Sequence, residues 1–467
     1  MPHAHSKLNF IPQSFNPAVL KLSHVLLPFV LRFRVRRWLI GGITRIQAEN
    51  VETLVKLYQQ FQAGKIRFLM AFRHPEVEDP LCLLYLLSRI VPRVARKEGI
   101  SLHLPVHNHF IYDRGMVIWA GKWLGWLFSR GGGIPIHRGK PLDRIALKAA
   151  RELFVNGEFP LTVAPEGATN GHHERVSPLE PGVAQLGFWC VEDLMKANRT
   201  EEVYILPISL RYYYIKPPWA KLAQLLAQLE ADTGLPVQHL DQSDLSHPEE
   251  ILYPRLFKLG EYLLTELEAF YHRFYRQTIP PIPEDPNLTP NQILGIRLQN
   301  LLDTALKVAE DYFNLPQQGT IIDRCRRLEE AGWNAVYRED IPDINKISPL
   351  QRGLANWIAE EGELRVKHMR LVESFVAVSG SYVKENPTAE RFAETTLILF
   401  DLISRIKGVK MPRRPRLGKR RVKITIGEPI SVNKRWETYQ QSRKIAKEAI
   451  ANLTNDLYIA LEELVKI

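Results

Sequence analysis

Three features of the sequence predict an α/β fold with a largely parallel sheet flanked by helices. Between residues 51 and 214, short β-branched or aromatic runs alternate with stretches of helical spacing. From Ile215 to about Met411 helical spacing continues while strand signals become scarce, which marks an all-helical block. At Val422 to Ile426 a strand signal returns, and a helix from Trp436 to Val465 closes the chain. A length of 467 residues is a soft prior for about two to four domains. A composition 45% hydrophobic and 24% charged is that of an ordinary globular protein.

The net charge of +11 is concentrated in two places. Residues 1–48 carry seven Lys or Arg and no acid, and residues 410–427 carry eight and no acid. Arg32, Arg34, Arg36 and Arg37 interleave with Val30, Leu31, Phe33, Val35, Trp38 and Ile40, after the apolar run Val25 to Val30. Such a pattern suits a membrane interface, where basic side chains reach anionic head groups while their stems stay buried. The alternative is an N-terminal helix packed on the protein's own core. The run from Ala18 to Leu31 is broken by Lys21, His24 and Pro28, and no stretch reaches the roughly 18 uncharged apolar residues that a span needs. A cleavable secretory leader is not expected, because Arg-rich sequence follows the apolar part. Cys82, Cys190 and Cys325 lie far apart without metal-ligand spacing, so neither a disulfide framework nor a metal site is expected.

The elements follow in order. Val51 to Gln62 is a helix ending near Gly64, and Ile66 to Phe72 is a short buried strand. Asp79 as N-cap and Pro80 at the first helical position open a helix over Leu81 to Val91. Ile100 to Val106 alternates enough for a second strand. Ile111 to Phe128 reads as a helix with Trp119, Trp123 and Trp126 on one face, either core or a second membrane-contacting element. Ile134 to Lys140 is a brief strand ending on basic side chains. Asp143 caps a helix through Val155 that Asn156-Gly157 stops. Leu161 to Ala164 is a strand, Pro181 to Ala197 a helix, and Val203 to Leu210 a strand carrying Pro207. The helical block comprises Leu222 to Leu229, Leu252 to Tyr275, Gln292 to Phe313, Ile321 to Glu330, Leu350 to Val378 and Ala389 to Ile406. A stiff linker from Pro280 to Pro290 divides it.

Ligand sites in such sheets lie at the carboxyl ends of strands. There the sequence places His74, with Asp79 five residues on. A carboxylate on one imidazole nitrogen fixes the tautomer and leaves the other nitrogen free to take a proton from a hydroxyl. Taken alone, the pair reads more readily as a loop histidine beside a capping aspartate.

Four ordered blocks resemble the glycerophospholipid acyltransferase superfamily, typified by the 1-acylglycerol-3-phosphate acyltransferases. His74 and Asp79 match its His-x-x-x-x-Asp, and Ile134 to Arg138 its strand ending in arginine. Ala164-Pro165-Glu166-Gly167-Ala168-Thr169-Asn170 resembles its Phe-Pro-Glu-Gly-Thr-Arg-Ser, and Leu206-Pro207-Ile208 its strand with an internal proline. Val422 to Ile430 looks like its terminal strand. The resemblance covers roughly residues 55–214 and 420–467, so the helical block becomes an insertion. The expected organisation is a basic membrane-associating segment (1–50), the acyltransferase domain (51–214), the insertion (215–411) and the domain's final strand and helix (412–467). Thr169 departs from the family's arginine, and Glu180 and Pro181 stand where lysines are usual.

By the resemblance, His74 removes a proton from an acceptor hydroxyl and Asp79 holds the imidazole. Arg138 and Glu166 orient the acceptor, backbone N–H groups near Gly167 stabilise charge, and Pro207 belongs to the substrate site. It implies no metal or redox cofactor. The co-substrate is an acyl thioester, either acyl-CoA or acyl carrier protein. The expected partners are an anionic membrane surface, met peripherally or monotopically on its cytoplasmic face, and possibly an acyl carrier protein. The rival from another class is a noncatalytic lipid-binding or scaffold protein. Nucleic acid is not expected, because Lys410 to Lys423 has no interleaved aromatics.

Overall fold

The computed structural model of the chain describes residues 3–137, 143–238 and 246–466. It divides into an α/β unit, drawn from Phe10–His137, Leu142–Ile215 and Gly418–Ile467, and a helical unit, mainly Lys216–Leu417 with the N-terminal Met1–Asn9. In chain order the strands are β1 (His5–Ser6), β2 (Ile43–Glu49), β3 (Ile66–Phe72), β4 (His109–Asp113), β5 (Gly133–Ile136), β6 (Leu161–Val163), β7 (Glu202–Tyr214), β8 (Tyr337–Arg338), β9 (Arg420–Ile426) and β10 (Ile430–Ser431).

The α/β unit is built on a sheet of order β2-β9-β7-β3-β6-β4-β5, with β10 paired to β7. Strands β9 and β10 run antiparallel to β7, and the other pairs are parallel. All seven residues of β3 are buried, as a central strand covered on both faces requires. Successive side chains alternate across it. Phe68, Met70 and Phe72 pack with Leu54 and Tyr58 of α2 (Val51–Gln62), while Leu69 and Ala71 join Phe154, Phe188 and Leu457 on the opposite face. Helices therefore cover both faces, and each fully buried leucine or phenylalanine contributes about 1.5–3 kcal/mol.

The remaining helices of the unit's first part are α1 (Pro17–Arg32), α3 (Asp79–Tyr85), α4 (Val91–Lys97), α5 (Met116–Ala120), α6 (Lys122–Arg130), α7 (Arg144–Asn156) and α8 (Gly182–Lys196). Asp143 caps α7 by accepting from Ala146 N–H. Arg67 lies buried on β3 and donates to the carbonyls of Phe154 and Gly157 where α7 ends, a cation at the negative end of a helix.

Four differences from the sequence reading have physical causes. Ile100 to Val106 is irregular; Pro105 offers no ladder N–H, and Ile100 and Leu102 pack on the core from a loop. The strand lies at His109–Asp113 instead, so the helical run begins later and breaks at Gly121, whose φ of +100° disfavours any side chain. Asp79 is the first helical residue rather than the cap, and a π-turn (Leu86–Ile90) joins α3 to α4 where Pro92 has no N–H to return. Finally, Ile43–Glu49, read as the tail of the basic segment, is the edge strand β2, parallel to β9.

The helical unit contains α9 (Trp219–Thr233), α10 (Pro248–Tyr275), α11 (Pro290–Phe313), α12 (Ile321–Val336), α13 (Pro349–Phe375), α14 (Tyr382–Glu385) and α15 (Ala389–Ile406). Reciprocal capping boxes start three of them, at Thr289/Gln292, Thr320/Asp323 and Ser348/Gln351. A two-residue ladder of β1 and β8 ties His5 and Ser6 into this unit. The α/β unit closes with α16 (Trp436–Tyr439) and α17 (Arg443–Lys466), two pieces where the sequence suggests one helix.

Within the helical unit Arg255 of α10 donates twice to Glu230 of α9, at 2.8 and 2.6 Å, and both side chains are buried. Removing one partner strands a buried charge, whereas replacing both by apolar groups does not. Glu230→Leu should therefore lose about 3–5 kcal/mol. Glu230→Leu with Arg255→Leu should recover most of the loss, as read from thermal unfolding midpoints; a double variant as unstable as the single one would contradict this.

Candidate active site

The chain leaves β3 toward β4 on one side, and it leaves β6 toward β7 on the other, crossing behind β3. Neighbouring strands whose connections depart in opposite directions open a crevice at their carboxyl ends. His74 follows β3 and Glu166 follows β6, so the sequence's two most suggestive blocks meet there.

His74 is held at two points. Its backbone N–H donates to Glu166 Oε1 at 2.8 Å, and its ring Nδ1 lies 3.0 Å from Asp79 Oδ2. Asp79 is fully buried, whereas the His74 side chain keeps 21% of its surface exposed. The carboxylate therefore places the ring proton on Nδ1 and leaves Nε2 as an acceptor. Asp79 is itself fixed. Oδ2 also accepts from Glu76 N–H at 2.8 Å, and Oδ1 accepts from the Tyr212 hydroxyl. Burial, with the Asp79 charge next, pushes Tyr212 well above the usual phenol range, so it stays a donor. Among the described residues no serine or cysteine is hydrogen-bonded to His74. Cys82 is fully buried and its thiol is pushed far up, first by burial, so it is no nucleophile.

Around this pair lies a layer of buried charge. Arg420 reaches Glu76 Oε1 at 3.3 Å and Glu78 Oε1 at 3.5 Å, and its guanidinium lies 5.0 Å from the Tyr212 ring centroid. Burial works against the Arg420 charge, but the two glutamates outweigh it and hold its pKa above the usual value. Glu78 is pushed up by burial against the pull of Arg420, while it accepts from Ile40 and Gly41 N–H at 2.5 and 2.9 Å. Arg73, fully buried, donates to the carbonyls of His172, His173 and Arg175, fastening the loop after β6. Asn170 and Gly171 N–H return to the carbonyls of His74 and Pro75. His173 belongs to this layer, 3.4 Å from Glu76 Oε1 and stacked on the Tyr212 ring, whereas burial pushes His107 and His109 down to about 4.

The sequence points to Glu166 as an acceptor-orienting side chain, but both of its oxygens are engaged within the protein. Oε1 holds His74 N–H, and Oε2 accepts from Asn170 Nδ2 and Ser177 N–H, each at 2.8 Å. Gly167 has a φ of +71°, and its N–H donates to Ala164. The N–H groups of Ala168 and Thr169 have no hydrogen bond among the described residues. Pro207 is buried in β7 opposite Ala71, and its carbonyl accepts from Gly427 N–H at 2.9 Å. Arg138 lies outside the described residues.

Tyr212 and Arg420 escape a motif search because they stand 133 and 344 residues from Asp79 and Glu76 respectively. Strand alternation carries the missed signal. Tyr212 shares its face with Ile208 and Leu210, and Arg420 shares its face with Val422, Ile424 and Ile426, all buried.

Residues 45–211 match the model of the acyltransferase family, which spans β3, the His74 turn, the Glu166 loop and nearly all of β7. This region is an acyltransferase-family domain, and the chain carries a large helical insertion beyond it. No curated protein and no solved structure matches the chain.

Tyr212→Phe leaves Asp79 Oδ1 buried without its donor, a loss of about 1–3 kcal/mol. If that loss falls on the orientation of His74, kcat for acyl transfer should drop roughly five- to a hundredfold while KM stays unchanged. A variant with wild-type kcat would show that the hydroxyl does not position the pair.

Proposed function

We propose that the α/β unit moves a fatty acyl group from an acyl thioester to a hydroxyl of a lysophospholipid or glycerol-phosphate acceptor, in phospholipid synthesis or remodelling. The observation that carries this reading is the Tyr212–Asp79–His74 chain ending on a partly exposed imidazole at the carboxyl end of the central strand. His74 Nε2 takes the acceptor's hydroxyl proton as its oxygen attacks the thioester carbonyl. The C–O bond forms and the C–S bond breaks. The leaving thiolate recovers the proton from the imidazolium, whose charge faces Asp79. The reaction needs no protein nucleophile, and the donor is acyl-CoA or acyl carrier protein.

In this reading Asp79 and Glu166 position His74, and the N–H groups of Ala168 and Thr169 are candidates to meet charge on the acceptor or carbonyl oxygen. Arg138, the family cation present in the sequence, is the candidate phosphate partner, since a guanidinium matches phosphate oxygens in a planar fork. With Thr169 exposed where the family has arginine, a weaker phosphate grip favours an acceptor that also offers an acyl chain.

A membrane surface is the expected meeting place for such substrates. On α1, Leu22, Val25, Leu26 and Phe29 are exposed, and on α5 and α6 so are Trp119, Trp123 and Trp126. Trp38 meets Trp119 edge-on at 5.7 Å, and the Arg36 guanidinium lies 4.6 Å from the Trp123 ring centroid, which ties the two apolar surfaces together. Exposed Arg32, Arg36 and Arg37 flank them. We assign this surface to a peripheral or monotopic contact with anionic lipid on the cytoplasmic face. No helix among the described residues is long and apolar enough to cross a membrane.

Purified protein assayed by mass spectrometry against lysophospholipids and glycerol 3-phosphate, with both donor types, should favour a lysophospholipid, and Thr169→Arg should shift preference toward phosphate monoesters. Failure to acylate any acceptor would favour the noncatalytic lipid-binding reading. Phe29→Glu with Trp126→Glu should weaken cosedimentation with anionic vesicles, and each of Arg32→Gln, Arg36→Gln and Arg37→Gln should cost about 1 kcal/mol of anionic-lipid binding. Unchanged sedimentation of all these variants would remove the membrane assignment.

A further inference from the structure

Besides His74, Asp79 is held by two donors, and one further side chain touches both of the residues that supply them. The Tyr212 hydroxyl donates to Asp79 Oδ1, and Glu76 N–H donates to Asp79 Oδ2 at 2.8 Å. The His173 ring stacks on the Tyr212 ring, with centroids 4.9 Å apart and planes 29° from parallel, and its Nε2 lies 3.4 Å from Glu76 Oε1. A second histidine thus stands behind the first, with Asp79 and its two supports between them.

The backbone of His173 is fixed from the same turn. Arg73, the residue before His74, donates to the His173 carbonyl at 2.6 Å and to the His172 carbonyl at 3.0 Å. Asn170 and Gly171 N–H reach the carbonyls of His74 and Pro75 at 3.3 and 3.2 Å. The loop after β6 therefore moves only if the His74 turn moves with it. The His173 side chain is buried, so the imidazole placed to meet a substrate is His74, which is 21% exposed. Arg420 touches the same two residues, but it is shared with Glu78 and supplies charge. His173 supplies a flat ring. Such a ring restricts the tilt of a stacked phenol, and that tilt sets where the phenol's O–H points. Reactive groups keep productive geometry to within about 0.5 Å only when the side chains behind them are locked by packing and hydrogen bonds.

We propose that His173 is a positioning residue: it holds Tyr212 and Glu76 where they fix Asp79, and through Asp79 it sets the tautomer and orientation of His74. Its effect on rate rests on the acyl-transfer reading, whereas its effect on the His74 tautomer does not.

Two measurements on the full chain test this role. With ring-15N histidine, the neutral His74 imidazole, assigned by its loss in His74→Gln, should carry its proton on Nδ1 in the wild type. When the carboxylate is no longer firmly placed, the Nε2–H form competes. His173→Ala should raise the Nε2–H share severalfold, while the ring signals of His107 and His109, bonded to Gly131 and Gly132, stay unchanged. In acyl transfer, His173→Ala should lower kcat about tenfold with KM unchanged. Combined with Tyr212→Phe, its loss should fall well short of the product of the two single losses, because both act on Asp79. Should His173→Ala not fold, His173→Gln, which keeps a polar end but no stacked ring, should move both readouts in the same direction. The proposal is overturned if a folded variant keeps the wild-type tautomer ratio or the wild-type kcat, or if the two losses multiply in full. A wild-type chain that acylates no acceptor would remove the acyl-transfer reading, and the tautomer ratio then decides the role of His173.

Discussion

A histidine at the end of a strand is useful only if its ring and its backbone are held by different groups, and here two buried carboxylates divide that task. Glu166 takes the His74 N–H and fixes where the chain turns out of β3, while Asp79 takes the ring and fixes where Nε2 points. Each carboxylate is then committed elsewhere, Glu166 to Asn170 and Ser177 and Asp79 to Glu76 and Tyr212, so neither can swing. The cost of burying these charges is met by hydrogen bonds within a few ångströms rather than by solvent. The turn, the loop after β6 and the far end of β7 thus form one interlocked set.

Arg420 extends that set across the sequence. It arrives with β9, after the whole helical block, and places its guanidinium between Glu76 and Glu78 beside the Tyr212 ring. The α/β unit is incomplete at the His74 turn until this late strand has paired with β2 and β7. A charge that the sequence counts as part of a basic surface is in fact interior. Other members of the same stretch are also partnered: Lys423 bonds Glu49, and Arg414 bonds Asp401.

Much of this architecture is legible in the sequence. The strand Ile66–Phe72, the helix Val51–Gln62, the His74–Asp79 spacing and the helical block emerge because their signals are local: periodicity, caps and five-residue separation. Strand β2 is hidden because an edge strand alternates polar and apolar residues weakly, as Thr44, Arg45 and Gln47 do, and sits against a run of arginines. Strand β4 is hidden because His109–Asp113 abuts helical spacing, while Ile100 to Val106 imitates a strand that Pro105 prevents. The roles of Tyr212, Arg420 and Glu166 depend on contacts between distant segments, which no local pattern encodes.

The central claim is that His74 takes the acceptor's proton while Asp79 faces the resulting charge. Single-turnover acyl transfer measured for His74→Ala and Asp79→Asn, with folding verified by circular dichroism, tests it most directly. The account predicts a fall of at least about a hundredfold in the chemical step for His74→Ala, because a positioned base supplies acceleration of that order. Asp79→Asn should also be slowed, because the imidazolium then forms without a facing charge. Wild-type rates from a folded His74→Ala protein would contradict it.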